Sequence, residues 1–247
     1  MAAMTLPLTI FLPAFYATII GLDLALVGIL FTIVRIADLL FDPFVGGLMD
    51  RTHTRWGRFR PWLLLGGPVV MAGAAMLFFA QPGAGAIYLA VALTIAYAGY
   101  SIVILSQMGI GAAISPDYHE RSRVFAWWQA FNVGGLVLVL VIPPLVGLFM
   151  ELDQTTTVRL MGLVILIATP ISVLIAFFAV PDRSISNARE QRKVPLASYL
   201  KLFSHKSVRI LLGTVFTNGL ALGISAAVFL FFFFVYLLML LCQKYFL

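Results

Sequence analysis

Long apolar segments dominate this sequence and limit the folds that it can adopt. Breaks at charged residues, prolines and glycine clusters leave seven segments, at about 4–21, 25–48, 61–80, 87–110, 124–150, 158–180 and 208–241. A helix needs about 20 mostly apolar residues to cross the hydrocarbon core of a bilayer. Only 11% of the residues are charged, well below the roughly 25% of soluble domains. We therefore expect an integral membrane protein whose principal partner is the lipid bilayer.

Each segment is predicted to be a helix, because lipid-exposed backbone must satisfy its own hydrogen bonds and no segment shows the alternation of a barrel strand. The net charge of +6 does not indicate a nucleic-acid partner, since the basic residues lie in short connections without interleaved aromatic residues. The single cysteine, Cys242, excludes an intrachain disulfide, and no Cys/His spacing fits a metal site. No cofactor is expected.

Basic residues concentrate in alternate connections, which predicts the orientation of the chain. Residues 49–60 carry four arginines, residues 116–123 carry two and residues 182–209 carry seven lysines or arginines, whereas residues 81–86 and 151–157 carry none. By the positive-inside rule, the basic connections and the N-terminus are cytoplasmic. Seven-helix receptors and retinal proteins have the opposite orientation, and no Schiff-base lysine lies between Ile210 and Gln243, so that class is disfavoured.

Three ionisable residues lie inside the second apolar segment. Arg35, Asp38 and Asp42 are spaced by three and four residues, which places them on one face of a helix. An ionisable group at bilayer depth costs at least about 2.5 kcal/mol on insertion scales and usually marks a functional site. Two carboxylates suit a monovalent cation or a shared proton, which predicts a site for Na⁺ or H⁺. The alternative is an Arg35–Asp38 ion pair that only holds helices together, with Asp42 preceding Pro43 at a kink.

The residues that follow form the most specific pattern in the chain. From Asp42 to Trp62 the sequence reads DPFVGGLMDRTHTRWGRFRPW. The glycine pair at 46–47 is expected to let neighbouring helices approach closely. The acidic and basic residues are expected to form ion pairs that close the cytoplasmic face of a transporter. These predicted gate residues are Asp50, Arg51, Arg55, Arg58 and Arg121.

This pattern resembles the glycoside-pentoside-hexuronide:cation symporter family of the major facilitator superfamily, in its melibiose permease-like branch. The proline-rich segment from Leu6 to Ala17, residues 115–123 and residues 203–219 extend the resemblance. It implies a secondary active transporter, not an enzyme, that carries out sodium- or proton-coupled symport of a sugar or glycoside in the cell inner (plasma) membrane. It also implies that Asp38 and Asp42 bind the cation, as a metal site if the ion is sodium, with Arg35 as their charge partner.

Uncharged aromatic and amide side chains near this cluster suit a sugar, because aromatic faces stack on sugar rings and amides bond hydroxyl groups. The candidate substrate contacts are Tyr97, Tyr100, Gln107, Trp127, Trp128 and Gln129. For each residue alone, helix packing or an interfacial aromatic belt is at least as good an explanation.

The resemblance also implies the domain organisation. Residues 1–181 would form an N-terminal six-helix bundle of inverted three-helix repeats, residues 182–206 a central cytoplasmic loop, and residues 207–247 the first helix of an incomplete C-terminal half. We expect a truncated or rearranged chain end, so that a second transporter half or another copy would complete the cavity. The alternatives are a non-transporting membrane module, a degenerate fragment, or a transporter of another amphiphilic solute.

Overall fold

The computed structural model describes residues 4–5, 7–52, 54–149, 154–179 and 205–221, together with residues 224 and 228. The chain divides into two units, Met1–Ala188 and Arg189–Leu247, and each is described by itself. The described residues form helices joined by short connections. This agrees with the predicted all-α membrane protein.

Six helices form the described part of the first unit. They are α1 (Pro7–Ile20), α2 (Leu24–Arg51), α3 (Arg60–Phe78), α4 (Ala86–Ala113), α5 (Tyr118–Phe149) and α6 (Gln154–Ala179). Helices α2 to α6 each contain a stretch long and apolar enough to cross a membrane, whereas α1 is apolar but shorter. Helices α2 to α6 confirm five of the predicted spans, with bounds that differ by a few residues. Helix α1 lies where the first span was predicted but is shorter than a span.

The largest difference lies at the start of α5, which begins at Tyr118 instead of the predicted residue 124. The carboxylate of Asp117 accepts hydrogen bonds from the backbone N–H groups of His119 (2.7 Å) and Glu120 (3.0 Å). This cap satisfies donors that the first turn of a helix leaves without partners. The charged residues Glu120, Arg121 and Arg123 therefore lie in the first turns of α5 and not in a loop.

Helix α1 has an irregular backbone. Wider π-helical turns at Pro7–Phe11 and Tyr16–Ile20 flank a single α-helical turn at Leu12–Phe15. Proline at position 13 has no N–H to donate to the preceding turn, which favours such a local change of hydrogen bonding. The helix ends at Gly21, whose φ of +88° lies in the left-handed region that glycine adopts without strain.

Helices α3 and α4 pack closely at the centre of the unit. A Cβ atom on Gly73 would lie 2.5 Å from the backbone of Ala96, and one on Gly99 would lie 2.5 Å from the backbone nitrogen of Val70. Small residues thus allow the two backbones to approach each other. The close approach expected at residues 46–47 is not observed among the described residues: no atom of another described helix lies within 4 Å of a Cβ built at either glycine.

The remaining helices surround this pair unequally. Helix α6 packs against α3, and α2 packs against α4, whereas α5 makes few contacts within the unit. Many large apolar side chains of α5 are exposed, including Trp127, Phe131 and Leu138.

In the second unit, residues 206–221 are helical and largely exposed. They belong to the predicted seventh segment at 208–241. Apart from residues 224 and 228, the rest of that segment lies outside the described residues, as does most of the predicted loop at 182–206.

Candidate functional site

A cavity of about 680 Å³ is lined by residues of α1, α2 and α4 and by the turn that precedes α1. Helix α2 contributes Arg35, Asp38 and Asp42, and α4 contributes Tyr97 and Tyr100. The spacing of three and four residues turns the three ionisable side chains to one face of α2, and this face borders the cavity. We refer to Arg35, Asp38 and Asp42 as the α2 cluster.

Asp38 has a partner on each of its carboxylate oxygens. Its Oδ2 accepts a hydrogen bond from Nη1 of Arg35 at 3.0 Å, which is also an ion pair. Its Oδ1 accepts a hydrogen bond from the hydroxyl group of Ser101 in α4 at 2.8 Å. Asp38 is only 7% exposed, and a buried charge of this kind requires such paired and hydrogen-bonded surroundings.

Arg35 lies between Asp38 and the aromatic wall of the cavity. Its side chain is 62% exposed, and its Cζ atom lies 5.3 Å from the centre of the Tyr97 ring. A guanidinium group over a tyrosine face at this distance forms a favourable cation–π contact. Asp38 on α2 and Tyr97 on α4 thus both hold the guanidinium group at the edge of the cavity.

Asp42 borders the same cavity with different surroundings. Its Oδ1 atom is buried and accepts no hydrogen bond from any described residue. A buried carboxylate oxygen without a donor carries a desolvation penalty, which a bound proton or cation would relieve. Among the described residues, no three His, Cys, Asp or Glu side chains lie close enough together to hold a metal ion. A bound Na⁺ would therefore need hydroxyl, carbonyl or water oxygens as ligands beside the two carboxylates.

The structure brings two of the six candidate substrate contacts to the cavity. Tyr97 and Tyr100 line it, and the hydroxyl oxygen of Tyr100 lies 3.5 Å from Oγ1 of Thr5. Neither Thr5 nor the nearby Thr9, which also lines the cavity, stood out in the sequence.

The other four candidates do not line this cavity. Trp128 donates its indole N–H to Oε1 of Gln107 at 3.3 Å, which links α5 to α4. Trp127 is 67% exposed and its ring contacts that of Phe131, and Gln129 is exposed on the same helix.

The predicted gate residues form one ion pair within the described part of the chain, between Asp50 and Arg58. Arg51 and Arg55 are exposed, and Arg121 is half-buried in the first turn of α5. These three arginines make no ion pair in the ranges that the structure describes. The electrostatic contact at this end of α2 is therefore concentrated in the Asp50–Arg58 pair.

Five helices long and apolar enough to cross a membrane, with ionisable side chains beside an open cavity, are typical of a multi-pass membrane protein. The family described as MFS/sugar transport protein matches residues 1–239. The chain belongs to this family, which confirms the resemblance to glycoside-pentoside-hexuronide symporters.

Individual relatives agree with this assignment. The inner membrane symporter YicJ of Escherichia coli (strain K12) is 32% identical over 139 residues, which cover 54% of this chain and 30% of the relative. The isoprimeverose transporter of Lactiplantibacillus pentosus is 30% identical over 199 residues, or 77% of this chain and 41% of the relative. The lactose permease of Lactobacillus helveticus is 35% identical over 126 residues, or 47% of this chain and 20% of the relative.

The matched regions thus cover between 20% and 41% of the length of these relatives. They are named as a symporter, a transporter and a permease, so the family is one of transporters and not of enzymes, as expected from the sequence.

Proposed function

We propose that this chain contributes the cation site of a secondary active transporter that couples Na⁺ or H⁺ to the symport of a sugar or glycoside. In this proposal Asp38 and Asp42 bind the coupling ion, and Tyr97 and Tyr100 contact the sugar. The chain would lie in the cell inner membrane with a cytoplasmic N-terminus, and a second transporter half or another copy would complete the cavity.

The observation that carries this proposal is the buried Oδ1 of Asp42, which has no hydrogen-bond partner among the residues that the structure describes. The α2 cluster contains two carboxylates and one guanidinium, and the guanidinium is paired with Asp38. The excess negative charge therefore resides on Asp42. One monovalent cation or one proton would make the cluster neutral, which is strongly favoured where the surroundings have a low dielectric constant.

The surroundings of the cluster favour an uncharged polar solute. Tyrosine rings offer apolar faces for the C–H side of a sugar, and the hydroxyl groups of Tyr100, Thr5 and Thr9 offer hydrogen bonds to its hydroxyls. The names of the isoprimeverose transporter and the lactose permease support this class of solute. For Gln107, Trp127, Trp128 and Gln129, a contact with sugar stays a prediction that requires a rearrangement of α5 or a second cavity wall.

Transport also needs an alternation between closed and open faces. Asp50 and Arg58 form an ion pair next to the end of α2, and we propose that this pair belongs to the cytoplasmic gate. Arg51, Arg55 and Arg121 would join it in a closed state through partners on the completing half.

A test of the cation site uses a reagent that reacts with protonated carboxyl groups. The chain, inserted in lipid vesicles, is treated with a hydrophobic carbodiimide at fixed pH in NaCl or in choline chloride, and labelling of each aspartate is measured by mass spectrometry. We expect labelling at Asp42. Protection by NaCl and not by choline chloride identifies a sodium site, whereas labelling that responds to pH alone identifies a proton site.

The variant Asp42→Asn is the control, because it keeps the shape of the side chain and removes the reactive carboxyl. Lactose and isoprimeverose are added as solute probes, and a sugar that shares the site changes the NaCl or pH dependence of labelling, since coupling between two ligands is reciprocal. Labelling of Asp42 that responds to neither Na⁺ nor pH would overturn the proposed cation site.

A further inference from the structure

Gly28 lies in the first two turns of α2, and close packing does not explain why a glycine is there. Its φ lies outside the left-handed region, and a Cβ built on it would lie more than 4 Å from every atom of the other described helices. Glycine in a helix interior lowers the stability of the helix relative to alanine. Gly73 and Gly99 offset this cost by the close approach of α3 and α4, whereas Gly28 makes no such approach to a described helix.

Gly28 belongs to the face of α2 that lines the cavity. Phe31, Thr32 and Arg35 line the cavity as well. They follow Gly28 by three, four and seven residues, which places all four residues on one face of the helix. A side chain at position 28 would therefore extend along this face and into the cavity, and the glycine leaves that space open to a solute.

The space at Gly28 is remote from the α2 cluster. Seven residues separate Gly28 from Arg35, which is about 10 Å at the rise of an α-helix, and the two aspartates lie further along the same helix. The residues of α2 that line the cavity in between, Phe31 and Thr32, are uncharged. This part of the cavity therefore suits the portion of a solute that does not reach the α2 cluster.

The distance from Gly28 to Arg35 is longer than a single sugar ring. Arg35 contacts the ring of Tyr97, so a sugar ring that lies against Tyr97 is at the level of Arg35. Such a solute reaches Gly28 only through a second ring or another large substituent.

We propose that Gly28 determines the size of the solute, because its missing side chain makes room for the second ring of a glycoside whose first ring contacts Tyr97 and Tyr100. This inference rests on the proposed function, since it takes the sugar contacts of the two tyrosines as given. It adds a residue that admits two-ring sugars and that takes no part in binding the coupling ion.

The first test measures the affinity of the chain, in lipid vesicles with NaCl at fixed pH, for lactose and for galactose, which is one of the two rings of lactose. Isothermal titration calorimetry gives both affinities. Gly28→Leu fills the space, and the affinity for lactose should fall about tenfold, which corresponds to a typical cost of overpacking. The affinity for galactose should stay at its native value, because one ring does not reach position 28.

Gly46→Leu is the matched control. A Cβ on Gly46 also lies more than 4 Å from every atom of the other described helices, but Gly46 does not line the cavity. Both variants bring the same side chain into α2, so a general effect on insertion or stability would appear in both. Gly46→Leu should keep the native ratio of the two affinities. If Gly28→Leu does not fold, Gly28→Ala replaces it and should give a smaller change in the same direction.

A second measurement needs no bound sugar. Thr32→Cys places a thiol in the cavity one turn from Gly28, in a chain that also carries Cys242→Ser, and its rates of reaction with a small and a bulky uncharged maleimide are compared. Adding Gly28→Leu should slow the bulky reagent about tenfold more than the small one, for the same steric reason. Adding Gly46→Leu should leave the ratio of the two rates unchanged.

An unchanged ratio of maleimide rates in the folded Gly28 variant would overturn the role of Gly28. An unchanged ratio of affinities in a chain that binds both sugars, or an equal change in the Gly46→Leu control, would also overturn it. The proposed function fails differently: a native chain that binds neither sugar removes the proposed sugar contacts at Tyr97 and Tyr100, whereas the maleimide rates decide whether Gly28 sets the size of the cavity.

Discussion

The indole N–H of Trp62, in the first turn of α3, donates a hydrogen bond to Oγ1 of Thr52 at the end of α2, over 2.9 Å. The same hydroxyl group donates to the backbone carbonyl oxygen of Leu48 at 2.9 Å. Thr52 therefore connects the last turn of α2 to the first turn of α3, across a connection rich in arginine.

We expect this pair to contribute measurably to stability. Trp62→Phe and Thr52→Val each remove one side of the bond, and a double-mutant cycle on thermal or denaturant unfolding should give a coupling free energy of roughly 1 kcal/mol. Additive effects of the two substitutions would contradict a direct interaction between these side chains.

Arg58 should stabilise the same connection by a different contact. Its Nε donates to the carbonyl oxygen of Met49 at 3.2 Å, and its guanidinium also pairs with Asp50. Arg58→Lys keeps the charge but loses the planar set of donors, so the melting temperature in detergent should fall. The matched control is Arg55→Lys, because Arg55 stacks on its neighbour Trp56 and makes no ion pair in the described ranges. Equal melting temperatures for both variants would argue against this role for Arg58.

The helices and the α2 cluster could be predicted from the sequence because both depend on local rules. Segment length and apolar composition located six helices, and the spacing of three and four residues placed Arg35, Asp38 and Asp42 on one face. The start of α5 was missed, because a search for apolar spans excludes the charged residues that this capped helix carries in its first turns.

The contacts between helices could not be predicted in the same way. Apolar residues are spread almost evenly around helix α4, so its sequence does not show which face meets α2. Ser101 was therefore not recognised as a partner of Asp38. Ser101 lies four residues after Tyr97 and therefore on the same face of α4, which was the available signal that it lies near the α2 cluster. Likewise, Trp127 and Gln129 were candidates by residue type, but no residue of α5 lines the cavity.

Close packing between α3 and α4 leads to a prediction about glycines. Gly99→Ala would place a Cβ 2.5 Å from the backbone nitrogen of Val70, which cannot move without displacing α3, and we expect a destabilisation of about 1–3 kcal/mol. The Cβ of Gly46→Ala would lie more than 4 Å from every atom of the other described helices. This substitution should be neutral or stabilising by roughly 0.5–1 kcal/mol, because alanine favours a helix. Unfolding by denaturant compares the two, and a larger loss for Gly46→Ala would contradict the observed packing.

The proposed orientation can be tested with two exposed positions on opposite sides of the membrane. Ser122 lies in the first turns of α5, and Gln81 lies between α3 and α4. The variants Ser122→Cys and Gln81→Cys are each made in a chain that carries Cys242→Ser, so that the new cysteine is the only one. A membrane-impermeant thiol reagent should label Gln81→Cys in intact cells and Ser122→Cys only after permeabilisation. The reverse pattern would place the N-terminus outside.

The contact between Arg35 and Tyr97 gives a prediction for the site itself. Tyr97→Phe keeps an aromatic face under the guanidinium of Arg35, whereas Tyr97→Leu removes it. A cation–π contact of about 0.5–2 kcal/mol corresponds to a factor of about 2 to 30 in the equilibrium between paired and unpaired Arg35. Tyr97→Leu should therefore let Arg35 leave Asp38 more often and raise carbodiimide labelling of Asp38 within this range, while Tyr97→Phe should match the native chain. If both variants raised labelling equally, the tyrosine hydroxyl and not its ring face would be what holds Arg35 against Asp38.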